Sequence, residues 1–211
     1  MSPSRRASTE SSETRTLLVD ATETLMLREG YAAVTSRRVA SEAGVTPPLV
    51  HYYFATLDDL FLAVLRRRAD EHLKQQDEQL TTDQPLHALW AYSSDPAVVT
   101  FTTEFMALAN HRKAIRGELA AYIDRFREAQ IRALEAAARD GRIDLGGMSA
   151  AALVATLANA ARGLAMEKRL GSDSGHREAA KLVDAILTGS RIEPPRIEPP
   201  VQRRGRRPRS A

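Results

Sequence analysis

The sequence predicts an all-α protein in two parts: a small three-helix unit near the amino end and a larger helical region behind it. Two observations carry this. Apolar residues recur three and four positions apart in one segment after another, and the segments are punctuated by helix-starting Thr, Ser or Asp-Pro and helix-stopping Gly. At 211 residues and 43% hydrophobic content, the chain has enough apolar material for one large core or two small ones.

Residues 1–12 are rich in Ser, Thr and Arg without an apolar period, and are expected to form a flexible arm. From Thr14 to about Glu29, Leu18, Ala21, Thr22, Leu25 and Met26 give a helix with one buried face, ended by Gly30. Thr35 is a suitable N-cap for the next helix, because its hydroxyl can accept a bond from a first-turn amide. Val39, Ala40 and Ala43 supply that helix with its apolar stripe. Gly44 ends it, since the left-handed C-cap conformation costs a glycine no Cβ clash. Thr46 is the next N-cap, and Pro47 and Pro48 occupy a first turn that needs no amide protons. Val50 and Phe54, four apart, face inward, leaving Leu49, His51, Tyr52 and Tyr53 crowded on the remaining surface. Two helices joined by a short glycine-containing turn form a helix-turn-helix, whose second helix enters the DNA major groove. Thr35, Arg37, Thr46 and Tyr52 are the candidates for phosphate contacts, with Leu49 and His51 nearer base edges. Arg38, Pro47 and Thr56 complete the candidate DNA-binding set.

The run Gly30-Tyr31, Thr35, Val39-Ala40, Ala43-Gly44-Val45-Thr46, His51-Tyr52-Tyr53-Phe54 and Asp58-Asp59-Leu60 resembles the amino-terminal domain of TetR-type transcriptional regulators, over about residues 14–65. Two positions depart from the family pattern. Leu57 stands where a phosphate-holding lysine usually starts the fourth helix, and Pro48 where Gly or Ala is usual. The resemblance implies a homodimeric DNA-binding regulator, usually a repressor, with an operator on double-stranded DNA and a pocket for a small-molecule effector. The expected organisation is a DNA-binding domain over 13–60 and an effector-binding and dimerisation domain over 61–190.

The second part begins with a helix from Leu57 to about Leu80. Thr56 caps it, with Asp59 three positions on as an approximate capping box. Its start carries the apolar Leu60, Phe61, Val64 and Leu65. Its later half, including Asp70, Glu71, His72, Gln75 and Gln76, reads as a polar, solvated face. A turn over 81–85 leads to a short helix with Leu86, Leu89, Trp90 and Tyr92, and Asp95-Pro96 starts another that Asn110-His111 breaks. Long helices follow from about Arg112 to Arg139, from Ser149 to about Leu170 and from Ser174 to Thr188. The middle one of these three is rich in alanine. The last two carry more apolar surface than one contact would bury, which predicts a four-helix bundle made by two copies of the chain. Trp90, Phe101, Phe105, Met106, Tyr122, Phe126 and Met166, with polar Asn159 and Arg162, are the candidate lining of the ligand pocket.

Charge is unevenly placed. Residues 191–211 contain seven arginines and two glutamates, a net of +5, so residues 1–190 carry −2 of the total +3. The repeated Arg-Ile-Glu-Pro-Pro and the arginines after it predict a disordered tail. There is no cysteine, so thiolate and disulfide chemistry are excluded. The five histidines are widely spaced, no metal-binding or nucleophile signature occurs, and no catalytic residue, metal or cofactor is expected. No apolar run reaches membrane-spanning length, and a cytoplasmic location is expected. The competing class is a helical small-molecule-binding protein or enzyme without a regulatory DNA site.

Overall fold

A computed structural model of the chain describes residues 3–80 and 82–188. They form nine α-helices: α1 Pro3–Glu29, α2 Ser36–Glu42, α3 Pro47–Tyr53, α4 Leu57–Leu80, α5 Pro85–Ser94, α6 Pro96–Ala109, α7 Lys113–Arg139, α8 Ala150–Arg169 and α9 His176–Leu187. A single 3-10 turn, Tyr31–Ala33, separates α1 from α2. The backbone is helical from Pro3, so α1 starts well before Thr14 and takes in most of the expected arm. The Arg/Pro-rich tail over 191–211 lies outside the described residues.

The helix starts follow their capping chemistry. Thr35 accepts the Arg38 amide through its hydroxyl (3.3 Å), Asp95 accepts the amides of Ala97 and Val98, and Ser149 accepts that of Ala152. At the head of α4 the capping box is complete: Asp59 N donates to the Thr56 hydroxyl (3.1 Å) and Thr56 N donates to Asp59 Oδ2 (3.0 Å). Thr46 holds the N-cap position of α3 but its side chain makes no capping bond: Pro47 and Pro48 have no amide proton, and the Leu49 amide donates to the Thr46 carbonyl oxygen instead (3.0 Å).

The two parts of the chain share one core. A single apolar cluster runs from Leu18 and Leu25 of α1 through Val39, Val50 and Phe54 to Leu60, Phe61, Val64 and Leu65 of α4. From there it continues to Phe101, Phe105, Leu108, Ile115 and Tyr122 in α6 and α7. α4 therefore has the amino-terminal unit on one side of its first turns and the body on the other. Leu57, placed where the family pattern has lysine, is half-buried against this cluster. A second cluster at the far end joins Leu86, Leu89, Leu134, Leu153, Leu157 and Val183, bringing together α5, α7, α8 and α9. α5 lies along α8, whose alanines permit a close approach.

The polar face expected on the later half of α4 is a misreading of two residues. His72 is only 3% exposed and Gln76 is buried. The reason is tertiary: α5, α6 and α7 close over that side of α4, and the i+3/i+4 stripe of Leu65, Ala69, His72 and Gln76 continues inward with polar members.

Candidate nucleic-acid interface and body cavities

The turn between α2 and α3 is fixed by Gly44, whose φ of +68° lies in the left-handed region. Val45 N then donates back to Ala40 O at 2.9 Å, closing the end of α2. α3 leaves that turn with Val50 and Phe54 buried in the shared core. Tyr52 is 78% exposed and His51, Thr46, Pro47 and Pro48 are exposed beside it. Leu49 is half-buried, so it presents less surface to a groove than its neighbours. Tyr53 sits edge-on to Tyr52, with centroids 5.1 Å apart, and packs against the core, which holds the outer ring in place from below.

The arginines of α2 differ. Arg38 donates to both oxygens of Glu29 at 2.6–2.7 Å, whereas Arg37 is exposed and pairs with no carboxylate among the described residues. Arg28 makes two 3.0 Å bonds to Glu42. Arg38 holds the Glu29 carboxyl below its usual range, and Arg28 does the same for Glu42. The Thr56 hydroxyl is occupied by Asp59 on both sides of its capping box.

Two links tie this unit to the body. Gly30, at φ +85°, brings the chain against Glu104 of α6, whose Oε2 accepts the Tyr31 amide at 2.8 Å. A Cβ at residue 30 would stand 3.4 Å from that same oxygen. The second link is ionic. Glu23 of α1, a buried carboxylate, accepts from Arg67 (2.6 Å) and from Arg68 Nε of α4, and Arg67 also reaches Asp20.

Arg68 also lines a cleft of about 450 Å³ between α4, α5 and α6, together with His72, Ala88, Ala91, Tyr92, Val98 and Phe101. The His72 ring Nδ1 lies 2.9 Å from the Tyr122 hydroxyl, and its ring meets Tyr92 and Phe101 edge-on. Burial, helped by the Arg68 charge, pushes the His72 imidazole down to about 4, so it is neutral at pH 7. Burial likewise raises the phenols of Tyr92 and Tyr122. On the other side of Tyr92 and Val98, which line both spaces, is a slot of about 50 Å³ among α5, α6, α7 and α8. Thr102, Tyr122, Phe126, Arg127, Gln130 and Arg162 are among its walls.

Of the residues expected to line a pocket, Phe101 lies on the cleft and Tyr122, Phe126 and Arg162 on the slot. The others are elsewhere. Phe105 is fully buried in the first core and Met106 packs against it, while Trp90 packs against the second core. Asn159 is exposed and bonds back to Ala155 O, as a polar side chain on an outer helix face does. Met166 borders a separate surface recess beside Thr103, Glu104 and Arg169. Arg68, His72 and Tyr92 of the cleft, Arg127 of the slot and Glu23 behind Arg68 are not among the site residues expected from the sequence. The apolar stripe of α4, followed past Leu65 and Ala69, would have found His72.

Among the described residues no group of three His, Asp or Glu side chains could hold a metal ion, and no helix is long and apolar enough to cross a membrane.

Comparison with known proteins agrees with this layout. A family model described as bacterial regulatory proteins, tetR family, matches residues 18–64. The HTH-type transcriptional repressor BepR of Brucella suis biovar 1 (strain 1330) is 30% identical over 131 residues, covering 59% of this chain and 62% of that protein. The HTH-type transcriptional regulator HbdR of Aromatoleum sp. (strain CIB) is 29% identical over 115 residues, covering 49% and 50%. The chain thus spans about half to three fifths of the curated relatives it matches. Solved structures share the fold over nearly their whole length. A putative transcriptional regulator from Saccharomonospora viridis, solved in complex with choline, superposes with a TM-score of 0.70 at 21% identity, covering 82% of this chain and 96% of that one. A TetR transcription regulator from Haloarcula marismortui gives 0.67 at 19%, covering 85% and 98%. A helix-turn-helix unit that matches the tetR family model over residues 18–64 is thus built into a helical body with the same fold as these solved regulators.

Proposed function

We propose that the protein is a ligand-responsive, cytoplasmic transcriptional regulator, acting as a repressor that binds a palindromic operator as a homodimer and is released by a small apolar or amphipathic effector. The observation that carries this reading is the exposed Tyr52, with His51 and Thr46 beside it, on a helix whose other face is locked into the core. Two copies of α3 enter successive major grooves about 34–36 Å apart. Exposed Met166, Leu170 and Leu182 on and beside α8 and α9 favour a self-complementary contact between protomers. A monomer mass in light scattering at micromolar concentration would remove the dimer.

The effector binds in the body cavities, and the link to the DNA-binding unit is short. Arg68 lines the cleft and bonds Glu23 of α1, so a ligand that draws on Arg68 alters the contact holding α1 to α4. Such a ligand shifts the spacing of the two heads only by as much as it prefers one arrangement over the other. The test is a fluorescence anisotropy titration on an operator selected from a random DNA pool. Tyr52→Ala is expected to lower affinity by about tenfold or more while leaving the melting temperature unchanged, and unaltered affinity would refute the assignment of Tyr52.

A further inference from the structure

We propose that the effector is an organic anion whose carboxylate lies between Arg127 on α7 and Arg162 on α8, with its apolar body against Val99, Ile123 and Phe126. This rests on the ligand-responsive reading above and states what that ligand must be chemically. The slot among α5, α6, α7 and α8 is lined by Arg127 and Arg162 and by no acidic residue. Its other polar members are neutral: Thr102, Gln130 and the Tyr122 hydroxyl among them. Among the described residues neither arginine has a carboxylate within ion-pair distance. Arg162 donates only to the neutral Asn159 Oδ1, at 3.2 Å.

Four other arginines set between helices are matched by carboxylates. Arg66 meets Glu118, Arg67 meets Asp20 and Glu23, Arg68 meets Glu23, and Arg112 meets Asp58. Arg127 and Arg162 are left as two like charges near one another, both half-buried. Burial first, and the Arg127 charge second, lower the Arg162 pKa. Such an arrangement is unfavourable in the empty protein and is relieved by an anion, which gains charge-assisted bonds in a partly dehydrated site. The neighbouring cleft does not have this character, because Arg68 is already paired with Glu23 and Asp95 adds a negative charge to its wall.

Size narrows the class further. About 50 Å³ is room for about four water-sized groups, enough for a carboxylate and a short stem. A longer body has to press on Tyr92 and Val98, the wall shared with the 450 Å³ cleft where His72 and Arg68 sit. Short aliphatic monocarboxylates therefore fit the slot as it stands, and a compact aromatic body fits only by displacing Tyr92 and Val98 toward the cleft; dicarboxylates of the same length do not fit, since the apolar walls offer their second charge no partner.

The experiment is isothermal titration calorimetry on the full chain without DNA, using phenylacetate, phenylacetamide and phenethylamine together with a series of short aliphatic carboxylates. The carboxylates are expected to bind at least about tenfold more tightly than the amide, which is a difference of about 1.4 kcal/mol, and the amine not at all. Arg162→Gln should bring carboxylate and amide within about twofold of each other, and Arg127→Gln should narrow the gap by less. Ligand-free Arg162→Gln should melt no lower than the unaltered protein, since it removes an unmatched charge. The proposal is overturned if the amide binds as well as the acid, if no carboxylate of the series binds, if Arg162→Gln keeps the full preference, or if that variant melts lower. Operator release is measured separately. An Arg162-dependent carboxylate that leaves operator affinity unchanged keeps the anion site and removes the ligand-responsive reading. Release by neutral compounds alone does the reverse.

Discussion

Tyr52 on α3 and Tyr122 on α7 show how differently the two ends of the molecule treat polar side chains. Tyr52 is turned out on a short helix and held from below by Tyr53, while Tyr122 is buried with its hydroxyl on a buried histidine. Around α3 the charged groups near the surface are either paired at exposed positions, as Arg38 is with Glu29, or left in water, as Arg37 is. In the body, Glu23, His72, Gln76 and Gln130 go inside, where each must find a partner or cost stability. The head shows hydrogen-bonding groups at its surface, and the body gathers its polar groups around the cleft and the slot. α4, whose first turns belong to the shared core and whose later turns carry Arg68 and His72, is the physical link between the two arrangements.

At neutral pH, cutting that link should give the largest effect. Glu23→Gln leaves Arg67 and Arg68 partly buried without the carboxylate that serves both, although Asp20 still reaches Arg67. Removing one partner of such a buried charge cluster is expected to destabilise the fold by about 2–3 kcal/mol in urea unfolding. A loss below about 0.5 kcal/mol would mean that the α1 to α4 contact is held by the apolar core alone. Next comes the buried imidazole. His72 has a folded-state pKa of about 4 against an ordinary 6.5. Between those values the unfolded chain binds a proton that the folded one does not, so stability is full above pH 6.5 and falls as pH drops toward 4, by up to about 3 kcal/mol. His72→Gln should flatten this part of the profile relative to the unaltered protein. Parallel profiles from pH 7 to 4.5 would show that the ring is hydrated.

The same contrast explains what could be read from the letters. Caps and stops act within a few residues, so Thr35, Gly44, Pro47, Thr56 with Asp59, Asp95-Pro96 and Ser149 marked the helix ends where the structure has them. The outward turn of Tyr52 followed from the inward spacing of Val50 and Phe54. The body was harder to read because a cavity is made by what is missing. Ala88, Ala91 and Ala97 leave the cleft open, while bulky Phe105 fills the core instead of lining a pocket. His72 looked solvated and Glu23 went unnoticed in a one-dimensional pattern, since the partners that make their burial tolerable come from residues 44 to 50 positions away. The helical start at Pro3 had no signal, because its residues lack an apolar stripe.

The smallest predicted effect tests the head alone. Arg37 and Arg38 are adjacent in sequence and equally plausible as phosphate contacts, yet only Arg38 is tied to a carboxylate. To reach a phosphate it must give up its bonds to Glu29 or share them, and the net gain is correspondingly small. Arg37 has nothing to give up. Arg37→Ala should therefore weaken binding to all DNA sequences alike, by a few-fold, and reduce the slope of log affinity against log salt by about 0.9. Arg38→Ala should change the slope less, and because its ion pair is exposed it should cost the fold less than about 1 kcal/mol. Anisotropy titrations at several salt concentrations separate the two. A larger slope change for Arg38→Ala would mean that DNA takes Arg38 from Glu29 on binding, and that the outward pairing around α3 is a resting arrangement rather than a fixed one.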